Sequence, residues 1–315
     1  MIVLDSSQRA QFAIGIDVGG TKCAAGLVLF PEGGVLVRRL QPTRPERGGA
    51  AVLDDVVCVA RSLQQEAEEL GVKPAAIGLG VAELVSACGQ VLSDATIRWR
   101  GVEVGEALRA ATGLSVKLDA DVRAAARGEA HLGAGRGFGS FLYVTVGTGI
   151  SVSLVIDRTP YAGARGLTGT FASSRGLIPG DDGCLASGPA LEQFAAGPAL
   201  AARLAAARPE FTGTAFDVVA FATASDRLAE EIVASAGRAL GAAIGQLVNV
   251  LDPEAVVIGG GLGMVRGLYR QSLDEALREH VWSDLHRELP LESAELGNDA
   301  GFIGAAFGAC RVERD

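Results

Sequence analysis

The strongest constraint on the fold is a pattern that occurs twice: an apolar run, a glycine-rich turn, and a second apolar run. Near the start, Phe12-Ala-Ile-Gly-Ile-Asp17-Val-Gly19-Gly20-Thr21-Lys22 leads directly into Cys23-Ala-Ala-Gly-Leu-Val-Leu-Phe30. This reads as two strands joined by a tight glycine turn. Glycines let a backbone approach a phosphate closely, and turn N–H groups aimed the same way form an anion nest. A carboxylate beside such a nest repels the anion unless a metal cation or a proton-transfer role offsets it. The stretch therefore suggests a nucleotide phosphate with Mg²⁺, while an ordinary hairpin whose Asp17 supports its own turn remains the alternative. It is not a P-loop: Gly15 and Gly20 have the spacing, but Thr21-Lys22 stand in the wrong order.

The pattern returns as Phe141-Leu-Tyr-Val-Thr145-Val-Gly147-Thr148-Gly149 with its return strand Ile150 to Ile156. After the first hairpin, Gly33-Gly34 make a turn and Val35 to Leu40 a third strand, followed by an exposed Pro/Arg-rich loop from Gln41 to Gly49. Ala51 to Leu70 has helical apolar spacing and stops at Gly71, and Ala76 to Ala82 is a short buried strand. Val102 to Thr112 reads as a helix, Leu114 to Leu118 as a buried strand, and Val122 to Leu132 as a further helix. Ala215 to Val250 is largely helical, and Ala255-Val-Val-Ile-Gly259-Gly-Gly261 is a strand running into glycines. Each hairpin is thus followed by helix and buried strand, which predicts a duplicated α/β unit with both glycine turns on one cleft.

The 315 residues are long enough for two domains with sizeable cores. A net charge of −9 argues against nucleic acid or an anionic membrane as partner. No apolar run approaches a membrane span, and Met1 to Gln11 lacks the basic and apolar segments of a signal peptide. Five scattered cysteines (Cys23, Cys58, Cys88, Cys184, Cys310) fit buried, reduced thiols and a cytoplasmic location.

Four elements line up along the chain: Asp17-Val-Gly-Gly-Thr-Lys22, Asp119-Ala-Asp121, Thr145-Val-Gly-Thr-Gly149 and Gly259-Gly-Gly261. Together they resemble the sugar-kinase, actin and heat-shock ATPase superfamily, and within it the ROK family of repressors, open reading frames and kinases. Leu247 to Gly261 is similar to that family's adenosine-side segment, and Gly297-Asn-Asp-Ala-Gly301-Phe-Ile-Gly-Ala-Ala to its C-terminal segment. The resemblance implies two ribonuclease-H-like (actin-like ATPase) α/β domains around a nucleotide and sugar cleft. The expected division is 1–118 plus 299–315 for the smaller domain and 119–298 for the larger. It further implies that Asp17, Gly19, Gly20, Thr21 and Lys22 clamp the ATP phosphates opposite Thr145, Gly147, Thr148 and Gly149, with Gly259, Gly260 and Gly261 against the adenosine. For the last three, a strand-to-helix turn that needs glycine for packing is the alternative.

Asp119 matches the family's catalytic aspartate, and at a strand end it can take the proton of an attacking hydroxyl. Either Asp119 or Asp121 could instead N-cap the following helix; between phosphate loops Asp119 is read as the base and Asp121 as the cap. The remaining sugar contacts depart from the family. Leu118 replaces an asparagine, while Thr170 and Ser173 replace the glutamate and histidine of a Gly-Glu-x-Gly-His segment; Glu192 is retained. A helix-start glutamate facing solvent is the alternative for Glu192. The zinc-binding cysteine run is reduced to Cys184, and His131, His280 and His286 all lie elsewhere, so no structural zinc is expected. The expectation is an ATP- and Mg²⁺-dependent kinase acting on a sugar or cyclitol other than ordinary glucose, as a homodimer. A catalytically weak sugar- or nucleotide-binding regulator of the same fold is the alternative. A repressor is disfavoured by the acidic charge and by the eleven or so residues ahead of the first strand.

Overall fold

The computed structural model describes residues 11–179 and 185–310. In chain order the first elements are β1 (Gln11–Val18), β2 (Lys22–Phe30), β3 (Gly34–Pro42), α1 (Gly49–Glu69), β4 (Pro74–Val81), α2 (Val104–Thr112), β5 (Ser115–Ala120) and α3 (Asp121–Leu132). There follow β6 (Ser140–Val146), β7 (Ile150–Ile156) and the short strands β8 (Thr159–Pro160), β9 (Arg175–Pro179) and β10 (Leu185–Ala190). The rest comprises α4 (Glu192–Ala195), α5 (Gly197–Ala207), α6 (Ala215–Thr223), α7 (Arg227–Leu251), β11 (Ala255–Gly259), α8 (Leu268–His280), α9 (Asp284–Arg287), β12 (Leu291–Ser293) and α10 (Ala300–Ala309). These elements form two compact units. One is Met1–Arg136 with Thr159–Leu167 and Asp299–Asp315; the other is Gly137–Arg158 with Thr168–Asn298.

The first unit is built on a sheet in the order β3-β2-β1-β4-β5, with β1, β2 and β3 antiparallel and β4 and β5 parallel to β1. Alternation along β1 decides its two faces. Ile14, Ile16 and Val18 bury against α1 through Val52, Val56, Ala60 and Leu63. Each such side chain, wholly removed from water, contributes about 1.5–3 kcal/mol. The intervening positions, Gly15 and Asp17, face α10. There the backbones nearly touch: a Cβ on Gly78 of β4 would lie 1.9 Å from the Ala305 carbonyl oxygen. That approach explains why α10 reads Ala-Gly-Phe-Ile-Gly-Ala-Ala-Phe-Gly-Ala, a helix of mostly small residues.

The second unit repeats the plan with a strand order β12-β11-β6-β7, in which β6 and β7 form the antiparallel hairpin and β11 and β12 run parallel to β6. Its core joins Leu142, Val144 and Ile258 of the sheet to Ile232, Leu240, Ile244 and Val248 of α7 and Leu273 and Leu277 of α8. Asp226 caps α7 by accepting from the N–H groups of Leu228 and Ala229, which fixes the start of the 25-residue helix.

Two local expectations are corrected. Cys23 and Cys310 are buried, but Cys58 and Cys88 are exposed, because Cys58 falls on the outer face of α1 and Cys88 in a loop. Asp121 is not the N-cap of α3: Ala120 holds that position, and Asp121, one residue later, accepts from the Val122 N–H at 2.6 Å. Among the described residues no helix is long and apolar enough to cross a membrane.

Candidate active site

In the first unit the parallel strands β1, β4 and β5 all end at one edge of the sheet, the edge where open α/β sheets bind ligands. Asp17, Gly80 and Asp119 stand opposite one another there, Asp17 paired with Gly80 and Gly80 with Asp119. The two aspartates are therefore two strand spacings apart, about 10 Å, on the same face, with the bare Gly80 between them and Ala124 of α3 packed over it. A Cβ on Gly80 would sit 3.5 Å from Asp17 Oδ1 and 3.5 Å from the Asp121 Cα. Leu118, one residue before Asp119, turns to the other face and packs on the α1-side core. The structure thus brings Asp17, Asp119 and Asp121 together and sets Leu118 apart from them.

The three carboxylates have different environments. Among the described residues Asp17 Oδ1 is buried without a hydrogen-bond partner, and the group is pushed up to about 7, first by burial and then by the charge of Asp121, with Lys22 acting the other way. Burial likewise pushes Asp121 up to about 6, reinforced by Glu83 and Asp119 and opposed by the Val122 N–H and Arg123. For Asp119 burial acts upward too, but the guanidinium groups of Arg127 and Arg123 outweigh it and hold the carboxyl below its usual range. Arg123 Nε donates to Oδ1 at 2.6 Å and Arg127 Nη2 to Oδ2 at 2.6 Å. The Ala120 N–H also donates to Oδ1, at 2.9 Å.

The glycine turn Gly19–Gly20–Thr21 closes β1 onto β2, with the Gly19 N–H bonded to the Lys22 carbonyl at 3.0 Å. It is braced from β3's end, where buried Thr43 donates through Oγ1 to the Gly19 carbonyl at 2.7 Å and through its N–H to the Thr21 carbonyl at 3.0 Å. A second brace begins at Glu83, just past β4. Its carboxylate accepts from the Ser93 hydroxyl and from the N–H groups of Ala95 at 2.9 Å, Thr96 at 2.7 Å and Ile97 at 2.6 Å. These bonds overcome burial and keep the Glu83 carboxyl below its usual range. The loop so formed presses on the turn, for a Cβ on Gly20 would meet Thr96 Cγ2 at 2.9 Å.

In the second unit the structure joins the two remaining glycine motifs. Thr145 of β6 is paired with Gly259 of β11. The loop after β11 folds onto the end of β6, where the N–H groups of Leu262 and Gly263 donate to the Val146 carbonyl at 3.0 and 3.2 Å. Gly260 has φ +80 and a Cβ there would lie 2.4 Å from the Val146 oxygen, so both backbone conformation and space demand glycine. The turn Gly147–Thr148–Gly149 is closed by a Gly147 N–H to Gly149 carbonyl bond of 2.9 Å, and the Gly197 N–H at the start of α5 donates to the Gly147 carbonyl at 2.9 Å. Glu192, first residue of α4, lies beside this turn, its Oε2 3.1 Å from where a Gly149 Cβ would be. Thr170 and Ser173 lie exposed at either end of one 3₁₀ turn, Thr170 as its cap. Among the described residues no group of three His, Cys, Asp or Glu could hold a metal ion; residues 180–184, including Cys184, lie outside them.

Two α/β units, each headed by a strand–glycine turn–strand and each ending parallel strands at a glycine or acidic edge, define a protein of the actin-like ATPase fold. Residues 13–311 match the profile of the ROK family, and the chain belongs to that family. It is similar to the ROK hexokinase from Thermus thermophilus, at 34% identity and a TM-score of 0.76 over 95% of this chain and 98% of that one. It is also similar to the ROK glucokinase from Streptomyces griseus, solved with glucose and AMPPNP, at 28% identity and a TM-score of 0.80 over 95% and 99% of the two chains. A glucokinase of Streptomyces coelicolor is 30% identical over 93% of this chain and 96% of its own length.

Proposed function

We propose that the protein transfers the γ-phosphoryl group of MgATP to a hydroxyl of a sugar or sugar-like acceptor, with Asp119 as general base. The observation that carries this reading is the pairing of Asp17 and Asp119 across Gly80 at the ligand-binding edge of the first sheet. Bound MgATP supplies the phosphoryl group and the cation that neutralises charge on its phosphates. Asp17, with its orphaned Oδ1, is the group that would face that cation, and the braced Gly19–Gly20–Thr21–Lys22 turn offers backbone N–H groups to phosphate. In the second unit, Thr145–Gly149 and Gly259–Gly261 form the other glycine cluster suited to the nucleotide, and Glu192 beside Gly149 would accept from an acceptor hydroxyl.

The acceptor is read as other than ordinary glucose. Thr170 and Ser173 are short and uncharged where the family resemblance implies an acid and an imidazole. Hydrogen bonds to charged groups contribute about 1.5–3 kcal/mol each, so their loss without replacement weakens glucose by orders of magnitude. The shorter side chains leave room for a substituted, epimeric or deoxygenated sugar, or a cyclitol. The test is kcat/KM for glucose against N-acetylated amino sugars, ketoses, deoxy sugars and inositols. Turnover of glucose at about 10⁴ M⁻¹s⁻¹ or above refutes the acceptor reading. The two arginines on Asp119 favour a second reading, a binding protein with weak turnover, and the same panel decides it: no acceptor would then raise ATP consumption.

A further inference from the structure

The two arginines that hold Asp119 are not equivalent. Arg123 is a strut: its side chain is 4% exposed, and besides Asp119 it donates through Nη1 to the Gly166 carbonyl at 3.0 Å and through Nη2 to the Val85 carbonyl at 2.7 Å. It ties two loops to the end of β5. Arg127, one helical turn further along α3, makes a single hydrogen bond among the described residues, to Asp119 Oδ2. Its guanidinium lies against the bare Gly308 of α10, where a Cβ would come within 3.1 Å of Nη1.

A carboxylate offers about four acceptor directions, two on each oxygen. Oδ1 has both taken, by the Ala120 N–H and Arg123 Nε. Oδ2 has one taken, by Arg127 Nη2, so its other direction is the place for an attacking hydroxyl. From this geometry we infer that Arg127 is a positioning residue for the base: it fixes Oδ2 with one acceptor direction open, and its charge tunes how readily that oxygen takes a proton. The inference rests on the reading of Asp119 as the base.

In the transfer step the acceptor oxygen forms a bond to the γ-phosphorus while the bond from that phosphorus to the β-phosphate bridging oxygen breaks. ADP leaves, and the hydroxyl proton passes to Asp119 Oδ2. Arg127 makes the carboxylate a weaker base but one available at lower pH. Lys117 stands two residues before Asp119 on the same face of β5. Arg123 and Asp121 belong to α3, with Glu83 and Asp17 behind Asp121, while β4 contributes only Gly80 at this level and α10 carries no charged residue.

The experiment is the pH profile of the acceptor's kcat/KM at saturating MgATP, whose cation would hold Asp17 ionised and so keep it out of the acid limb, with the best acceptor for the wild type, Arg127→Leu, Arg127→Lys and Asp119→Asn, and with MgATP affinity and Tm measured alongside. An opposite charge at this range lowers a carboxyl by about 1–3 pH units. In Arg127→Leu the acid limb should therefore move to higher pH by about one unit or more, and the plateau should fall about tenfold, with MgATP affinity within about twofold of wild type. Arg127→Lys restores the charge but not the planar donor, so it should return the limb near its original place with the plateau only partly recovered. An unmoved limb in Arg127→Leu, or a moved limb that lysine does not return, overturns the inference. If Arg127→Leu does not fold, Arg127→Lys carries the test, and an unchanged plateau there overturns it. Full activity in Asp119→Asn would remove the base reading itself; an inactive Asp119→Asn beside a wild-type profile in Arg127→Leu removes this inference alone.

Discussion

Removing the carboxylate of Glu83 should carry a large cost for a single truncation outside the hydrophobic core. Glu83 is 6% exposed and gathers four donors, three of them backbone N–H groups in consecutive residues. In Glu83→Ala the Ser93 hydroxyl and the N–H of exposed Ala95 turn to water. The N–H of Ile97, a residue 0% exposed, and that of half-buried Thr96 do not have that choice. An unmet buried donor costs about 1–3 kcal/mol, so the loss is about 2–5 kcal/mol, against a total stability of about 5–15 kcal/mol. Glu83→Gln keeps one acceptor oxygen and should lose about 1–2 kcal/mol. Because the Glu83 carboxyl is held below its usual range, its contribution is present above the unfolded-state value and is lost as pH falls through the folded one. Glutamine should remove that share of the acid sensitivity. Trp99 reports the change, since it follows the loop, is 0% exposed, and donates to the Gly49 carbonyl at 2.7 Å. The other tryptophan, Trp282, is 89% exposed, so a Trp282→Phe background isolates the buried signal. Urea unfolding followed by this fluorescence should show the midpoint falling in Glu83→Ala. A change below about 0.5 kcal/mol would refute the assignment of Glu83 as the brace of this loop.

Two other perturbations have definite signs. Gly78→Ala forces a methyl group to within 1.9 Å of a backbone oxygen in α10, which can only be relieved by moving the helix; urea unfolding should show a loss of about 1–3 kcal/mol, and no loss would mean that α10 does not pack so closely. Asp17 and Asp121 have folded values of about 7 and about 6 against an ordinary 3.8, so the folded state holds their protons more tightly. Their contribution is full below about pH 4, declines as pH rises to about 7, and is flat beyond. The Tm of the ligand-free protein should therefore fall over that window, less steeply in Asp17→Asn, and an unchanged slope would contradict the burial of these groups.

The elements that position the site were largely legible because they announce themselves locally. Apolar runs broken by Gly19-Gly20 and Gly147-Thr-Gly149 gave both hairpins, and the helical period gave α1, while the single helical stretch read from Ala215 to Val250 is two helices, α6 and α7. Pairings between distant residues were not legible. Nothing near Glu83 says that residues 95–97 will fold back onto it, although an acid directly after a buried strand is a signal that it needs partners. Arg123 and Arg127 lie four apart on one face of α3, a spacing open to inspection, but their convergence on Asp119 depends on how the helix leaves the strand. Strand alternation would have separated Leu118 from Asp119, since adjacent residues of β5 face opposite sides of the sheet. Cys58 sits in an apolar helical stretch yet falls on its outer face, which a count of apolar neighbours does not reveal.

The central claim is that Asp119 takes the acceptor's proton, and Asp119→Asn tests it most directly, since the amide keeps the size of the side chain but cannot serve as the base. Phosphotransfer from MgATP to the best acceptor, measured beside MgATP affinity, should fall about 10²- to 10⁴-fold while the affinity changes little. Phosphotransfer at the wild-type rate in Asp119→Asn would contradict the account.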